Sequence, residues 1–313
     1  MRGAGPIFVV LIVLLVLIAL KNPRFIQPAV FLASYLKPAA PLAILAAGQL
    51  FVIVSGEYDL SVGSLITVTV TSAALLIHGD PALTYPILAL LFGIGIGVGL
   101  INGTVTTRLH VPSFIATLGM LLILSGGIFY ATGGAPRGSL PENFRAFGRA
   151  GIEGVPFLGQ LPYAVIVLLV VGTVFWLLLH RTNFGQQVFA VGGNARAADL
   201  AGIDVAAIRT ACFVLSAVSA MIAGVLLGGF AGVSAQVGET YEFQAISAVV
   251  LGGATLGGGR GSVPTAIAGA LTLQALFTLL NLFGFPAPLR SVVQGVIIVA
   301  AVAYASYRLR RSR

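Results

Sequence analysis

Stretches free of Asp, Glu, Lys and Arg recur along the chain, and ten of them approach the length of a bilayer crossing: Gly3–Leu20, Pro38–Gly56, Leu60–Ile77, Pro81–Thr107, Val111–Pro136, Phe157–Leu179, Thr210–Gly238, Phe243–Gly259, Gly261–Leu289 and Ser291–Tyr307. About 20 apolar residues cross a hydrocarbon core of roughly 30 Å as a helix. The pattern therefore predicts an all-α, polytopic integral membrane protein with about ten transmembrane helices in a single domain, residues 1–313. The eighth and tenth runs are short, and the eighth ends in glycine, so a broken or re-entrant segment is expected there. The first run has Arg2 ahead of it but no small-x-small cleavage site before Lys21, and reads as a retained helix.

Composition agrees with the pattern. The 313 residues are 58% hydrophobic and only 8% charged, with a mean hydropathy of +1.04. Soluble domains carry about 25% charged residues, so lipid is the expected solvent. A net charge of +8 and a pI near 10.2 would suit a nucleic-acid partner, but the cations lie in short loops and not on one soluble face. Cys212 is the single cysteine and sits in an apolar run, which excludes an internal disulfide and suggests a packing residue. No HExxH, GxSxG or P-loop signature occurs, and His78, His110 and His180 are scattered near segment ends. Neither hydrolysis nor a resident metal is expected.

Threading ten segments places Arg2, Arg108, Arg181, Arg196, Arg209, Arg260, Arg308, Arg310, Arg311 and Arg313 on one side. By the positive-inside rule that side is the cytoplasm, with both termini inside. The opposite side keeps Lys21, Arg24, Lys37, Arg137, Arg145, Arg149 and Arg290, and the 137–156 loop then faces outward.

Four stretches carry candidate chemistry. Gly56-Glu57-Tyr58-Asp59-Leu60-Ser61-Val62-Gly63-Ser64 sets two carboxylates between apolar runs. An ionised side chain near hydrocarbon costs about 2.5–3.5 kcal/mol even on lenient scales, so these acids either face a wet path or lie hydrated at the membrane surface. The spacing of Asp59 from Ser61 and Ser64 suits an acid at a helix start. Gly95, Gly99 and Gly103 form a stripe of small residues that permits close helix contact, more readily within one subunit than at a dimer seam. Asn102 beside them needs a polar partner, in a pore or in a neighbouring helix. Between Phe184 and Ile208, Asn194 is a good N-cap, Ala195–Ala201 a brief helix and Gly202 a natural C′ residue. The glycines from Gly252 to Gly261 predict a tight turn or broken helix at membrane depth.

Taken together, Asp59-Leu60-Ser61-Val62-Gly63-Ser64, Gly192-Gly193-Asn194-Ala195 with Ala198 and Leu200-Ala201-Gly202-Ile203, and Ala245 to Gly253 followed by Gly261-Ser262-Val263 resemble the permease subunit of ribose-type ABC sugar importers, in the monosaccharide and branched-chain amino acid permease family. The three blocks fall in family order over nearly the whole chain. The resemblance implies a pore of two permease subunits, identical or paralogous, in the bacterial cytoplasmic membrane. It implies two ABC ATP-binding subunits that hold ATP and Mg²⁺, and a periplasmic or lipid-anchored sugar-binding protein. It also implies no cofactor or catalytic residue in this chain. The Asn194–Gly202 helix becomes a cytoplasmic coupling helix, with Gly193, Asn194, Ala198, Asp199 and Gly202 as its candidate residues. The candidate substrate path is Gln49, Glu57, Asp59, Ser61, Ser64, Asn102 and Gln244. Family members usually show Gly-Gly-Ile-Asp where this chain has Gly56-Glu57-Tyr58-Asp59, and an acid where it has Gln244. Glu57 is therefore expected to tune which substrate passes. The alternatives are a secondary transporter using Glu57 or Asp59 for ion coupling, and a structural membrane subunit.

Overall fold

The computed structural model describes residues 5–135 and 137–286, with 288, 289, 292, 293, 295, 296 and 299. The tenth apolar run and the Arg-rich tail thus lie almost wholly outside the described residues, as do Arg2 and Arg290. In chain order the helices are α1 (Gly5–Lys21), α2 (Pro28–Phe31), α3 (Lys37–Val54), α4 (Val62–Ile77), α5 (Thr84–Arg108), α6 (Ser113–Thr132), α7 (Glu142–Arg149), α8 (Tyr163–Arg181), α9 (Asn183–Gly193), α10 (Ala195–Leu200), α11 (Val205–Phe230), α12 (Tyr241–Leu251) and α13 (Val263–Leu282). A π-helical turn, Leu32–Leu36, joins α2 to α3, so that Pro28–Val54 runs as one 27-residue span. Among the described residues six helices are long and apolar enough to cross a membrane, while α1, α4 and α12 are apolar but shorter.

Lipid tails are as apolar as Leu, so burying Leu against Leu drives little association in a bilayer; close approach of small residues does. α3 and α11 show this. Ala39, Ala40, Ala43, Ala46 and Ala47 of α3 have no exposure at all. A Cβ added to Gly48 would lie 2.0 Å from Ser219 Oγ of α11. α5 crosses α11 on the predicted stripe: added Cβ atoms at Gly95, Gly99 and Gly103 would lie 2.6, 2.7 and 2.6 Å from Met221, Val214 and Thr210. Gly93 and Gly97 face open space. The stripe is packing within the subunit. Cys212 is fully buried on α11, as expected of a packing residue.

α1 lies against α13, tied through the cluster of Ile18, Phe25, Tyr35, Ala275 and Leu279. At one end of the bundle, α7 crosses α11, where a Cβ on Gly148 would meet Leu226 O at 2.3 Å, and the antiparallel hairpin β1 (Gly151–Val155) and β2 (Gly159–Pro162) follows it. At the other end sit α9, α10 and the start of α11.

The eighth apolar run departs from a spanning helix. α12 covers 11 residues, about 16 Å at 1.5 Å per residue, half of a bilayer core. The backbone then turns through Gly253, Gly258 and Gly259, all at positive φ (85°, 84° and 72°), a region open to glycine at no steric cost. α4 is likewise short, 16 residues. Two helical hairpins are thus broken, one between α3 and α4 at residues 55–61, the other between α11 and α12 at residues 231–240.

Candidate functional site

The break at 55–61 is held on every side. Asp59 has no exposure, and its Oδ1 accepts from the Ser61 backbone N–H at 3.0 Å and from Ser61 Oγ at 2.6 Å. Ser61 is the residue flanking α4, but its own side chain makes no capping bond, so Asp59 supplies the acceptor from outside the helix. Ser61 Oγ in turn accepts from Asn102 Nδ2 of α5 at 2.9 Å. Gln49 of α3 donates to Asp59 O at 3.0 Å and accepts from Ser216 Oγ of α11 at 3.1 Å. Ser64 Oγ closes back on Ser61 O at 2.8 Å. Five of the seven candidate path residues are therefore one buried network. Asp59 Oδ2 has no partner within it.

Tyr58 fastens the same break to two more elements. Its N–H donates to Ser113 Oγ at the start of α6, and its hydroxyl donates to Leu256 O in the turn after α12, at 3.1 and 2.9 Å. Glu57 forms an ion pair with Arg209 in the first turns of α11, 2.7 Å apart, with side-chain exposures of 13% and 23%. Glu57 and Tyr58, the two residues of this stretch that depart from the pattern expected by resemblance, are thus among those that tie the break to its neighbours. Gln244 lies apart: its Nε2 donates to Oγ1 of Thr240, the residue just ahead of its own helix, at 3.1 Å.

The short helix after Gly193 forms as expected. Asn194 Oδ1 accepts from Ala197 N at 3.0 Å, and Gly202 takes φ 84°, a left-handed value that ends α10. Ala198 is buried beneath it, whereas Asp199 is exposed and Leu200 keeps 84% of its surface. Arg196 and Asp199, three residues apart, form no ion pair. Asp204 then caps α11 through Ala207 N. Gly193 faces open space, but Gly192 is pressed on the end of α3, where a Cβ would lie 1.7 Å from Val54 O. Val54 O also accepts from Gly259 N at 2.8 Å. α3, α9 and the turn after α12 meet backbone to backbone at this end.

The second break holds residues outside the candidate path expected from sequence. Gln236, Glu239 and Glu242 line a cavity of about 310 Å³ with Ser64 and Thr67 of α4 and Phe129 of α6. A signal was available. Glu57-Tyr58-Asp59 at one break is echoed by Glu239-Thr240-Tyr241-Glu242 at the other, the first pair of acids ahead of α4 and the second straddling the start of α12. Among the described residues no group of three or more His, Cys, Asp or Glu could hold a metal ion.

The hydroxyls of this network are buried and spent on holding α3, α4, α5 and α11 to one break, so what the network can do is position those helices. Comparison with known proteins agrees. The chain is 35% identical to the ribose import permease protein of Bacillus subtilis over 96% of its own length and 92% of the relative's. It is 34% identical to the L-arabinose transport system permease protein of Escherichia coli K12, covering 86% and 80%, and 29% identical to the galactose/methyl galactoside import permease protein of Haemophilus influenzae, covering 98% and 95%. No solved structure gave a significant match. The profile of one family spans residues 31–302, and with that span this chain belongs to the family described as branched-chain amino acid transport system / permease component.

Proposed function

We propose that the chain is the membrane-spanning subunit of an ATP-driven ABC importer and provides the path for a monosaccharide. The observation that carries this reading is α10. A six-residue helix is marginal in water alone, yet this one is capped at both ends, rooted through Ala198 and leaves Leu200 exposed at the bundle's end. Such a helix is built to be docked upon, here by an ABC ATPase that binds ATP and Mg²⁺. The similarity to ribose, arabinose and galactose permeases supports a sugar as cargo.

In this reading the chain is one domain of ten segments, with α12 as a half-span, in the bacterial cytoplasmic membrane. Arg108, Arg181, Arg196, Arg209 and Arg260 then mark the cytoplasmic end, and the hairpin faces outward toward a sugar-binding protein. A second permease subunit completes the pore. Force applied to α10 reaches the break by a short route: Asp204 and Arg209 belong to the start of α11, and Arg209 holds Glu57, two residues from Asp59. Ion coupling has less to rest on, since Glu57 is paired and Asp59 is sealed from solvent.

Reconstitution in liposomes with and without the ATPase tests the reading. Sugar uptake is expected only with ATP and the ATPase present. Uptake that persists without them and follows a proton or sodium gradient would overturn it.

A further inference from the structure

The cavity at the second break has its own chemistry. Its walls come from three directions: Gly63, Ser64 and Thr67 of α4, one face of α6, and the chain that leads into α12. Glu242 is 7% exposed and Glu239 lies at the rim. No Arg, Lys or His lines the space, and neither glutamate has a cation partner among the described residues. The backbone has made room for this carboxylate, because a Cβ at Gly63 would fall 2.0 Å from Glu242 Oε2 and 2.7 Å from Gly238 O.

Of the three hydroxyls that line the cavity two are spent on the protein, while Ser125 Oγ of α6 makes no hydrogen bond among the described residues. Ser64 Oγ donates to Ser61 O, and Thr67 Oγ1 accepts from Gly238 N at 3.1 Å while donating to Gly63 O. The free polar capacity is weighted toward acceptors by Glu239 and Glu242, with the Gln236 amide and the Ser125 hydroxyl able to donate or accept beside them. A carboxylate can only accept when ionised, so the complementary ligand brings donors. Phe129 of α6, 44% exposed, adds an apolar ring to the lining. At about 310 Å³ the cavity is at the small end of ligand sites, which run from roughly 300 to 1,000 Å³.

We propose that this cavity is a resting site for a single neutral polyhydroxylated ring, with O–H groups donated to Glu242 and Glu239 and the ring face set on Phe129, and that its two carboxylates reject anionic and zwitterionic solutes. The proposal rests on the sugar-permease reading and narrows it. The family description names amino acids; an amino acid's ammonium would find partners in the two glutamates, but its carboxylate would meet two like charges and no cation here.

Cysteine accessibility tests this without ATP or any partner subunit. The full chain has one cysteine, Cys212, with no exposure, so the background is low. Gln236→Cys in liposomes is treated with a cationic and an anionic methanethiosulfonate of similar size. The cation is expected to react faster by about tenfold or more, the range by which a charged cleft concentrates a counter-ion. Adding Glu242→Gln should bring the two rates within about threefold of each other; if that variant does not reach the membrane, Glu239→Gln on the rim is expected to lower the ratio by a smaller factor. At least one of D-ribose, L-arabinose and D-galactose should slow both reagents, and L-leucine should not. Equal rates in the parent, a ratio unmoved by the glutamate variants, protection by L-leucine, or protection by none of the sugars would each overturn the proposal. Failure of the importer reading would show separately, as uptake independent of ATP.

Discussion

The two broken helical hairpins differ in what they do with their acids. At 55–61 each polar side chain has a protein partner, although Asp59 Oδ2 and Arg209 Nε keep none: Asp59 on Ser61, Gln49 on Asp59 and Ser216, Asn102 on Ser61, Tyr58 on Ser113 and Leu256, Glu57 on Arg209. At 231–240 the chain bonds itself to α4 through Gly238 and Thr67 but leaves Glu239 and Glu242 facing a cavity. Irregular backbone at membrane depth must be satisfied by protein or by water. The first break takes the protein and becomes a joint; the second takes the cavity and becomes a surface for something else. A carboxylate near hydrocarbon is therefore not by itself a sign of a path, since its partners decide.

That contrast can be broken most severely at Asp59. Asp59→Ala strips the acceptor from two buried Ser61 donors, at about 1–3 kcal/mol for each group left unsatisfied, and is expected to reduce folded yield several-fold. Asp59→Asn keeps an oxygen for both and should retain most of the yield, as measured by size-exclusion profile and thermal melt in detergent. Equal damage from the two variants would mean that the charge and not the acceptor geometry holds the joint.

Gly63→Ala strikes where the two breaks meet. Its Cβ would press on Gly238 O, a backbone atom that cannot swing away, and overpacking of this kind costs about 1–3 kcal/mol. A melt lowered by several degrees is expected, with reaction at Gln236→Cys altered as well. An unchanged melt would show the breaks to be independent.

Gly202→Val is milder. A left-handed backbone costs an L-residue about 1–2 kcal/mol, and nothing crowds the site, so the bundle should fold while co-purification of the ATPase falls. Normal co-purification and coupling would leave α10 as a surface turn.

Glu57→Gln is the smallest change. A partly exposed ion pair contributes about 0–1 kcal/mol, so the melt should hardly move, whereas ATP-driven uptake should slow with the order of preference among sugars unchanged. A changed preference would return Glu57 to the role of a substrate selector.

Much of the joint is legible in the amino-acid sequence, because its parts are chemically conspicuous: an acid and two serines at a helix start, an asparagine in a glycine-rich span, a capped helix closed by Gly202. Which atoms those side chains meet is not. Asn102 allowed a pore or a helix contact, and only the placement of α5 in the bundle brings its amide to Ser61. Arg209 read as one loop cation among several until the bend of the chain laid it against Glu57.

The sequence by itself determined the solvent, the run lengths, the glycine stripe and the α10 caps, because each depends on residues within a few turns of one another or on composition. Tertiary structure decided the rest. Glu242 and Gly63 are remote in sequence, and Phe129 belongs to a third helix, so the cavity they share exists only once two broken helices meet. Whether a buried acid is spent or free is a question of distance, and distance across a bundle is set by packing.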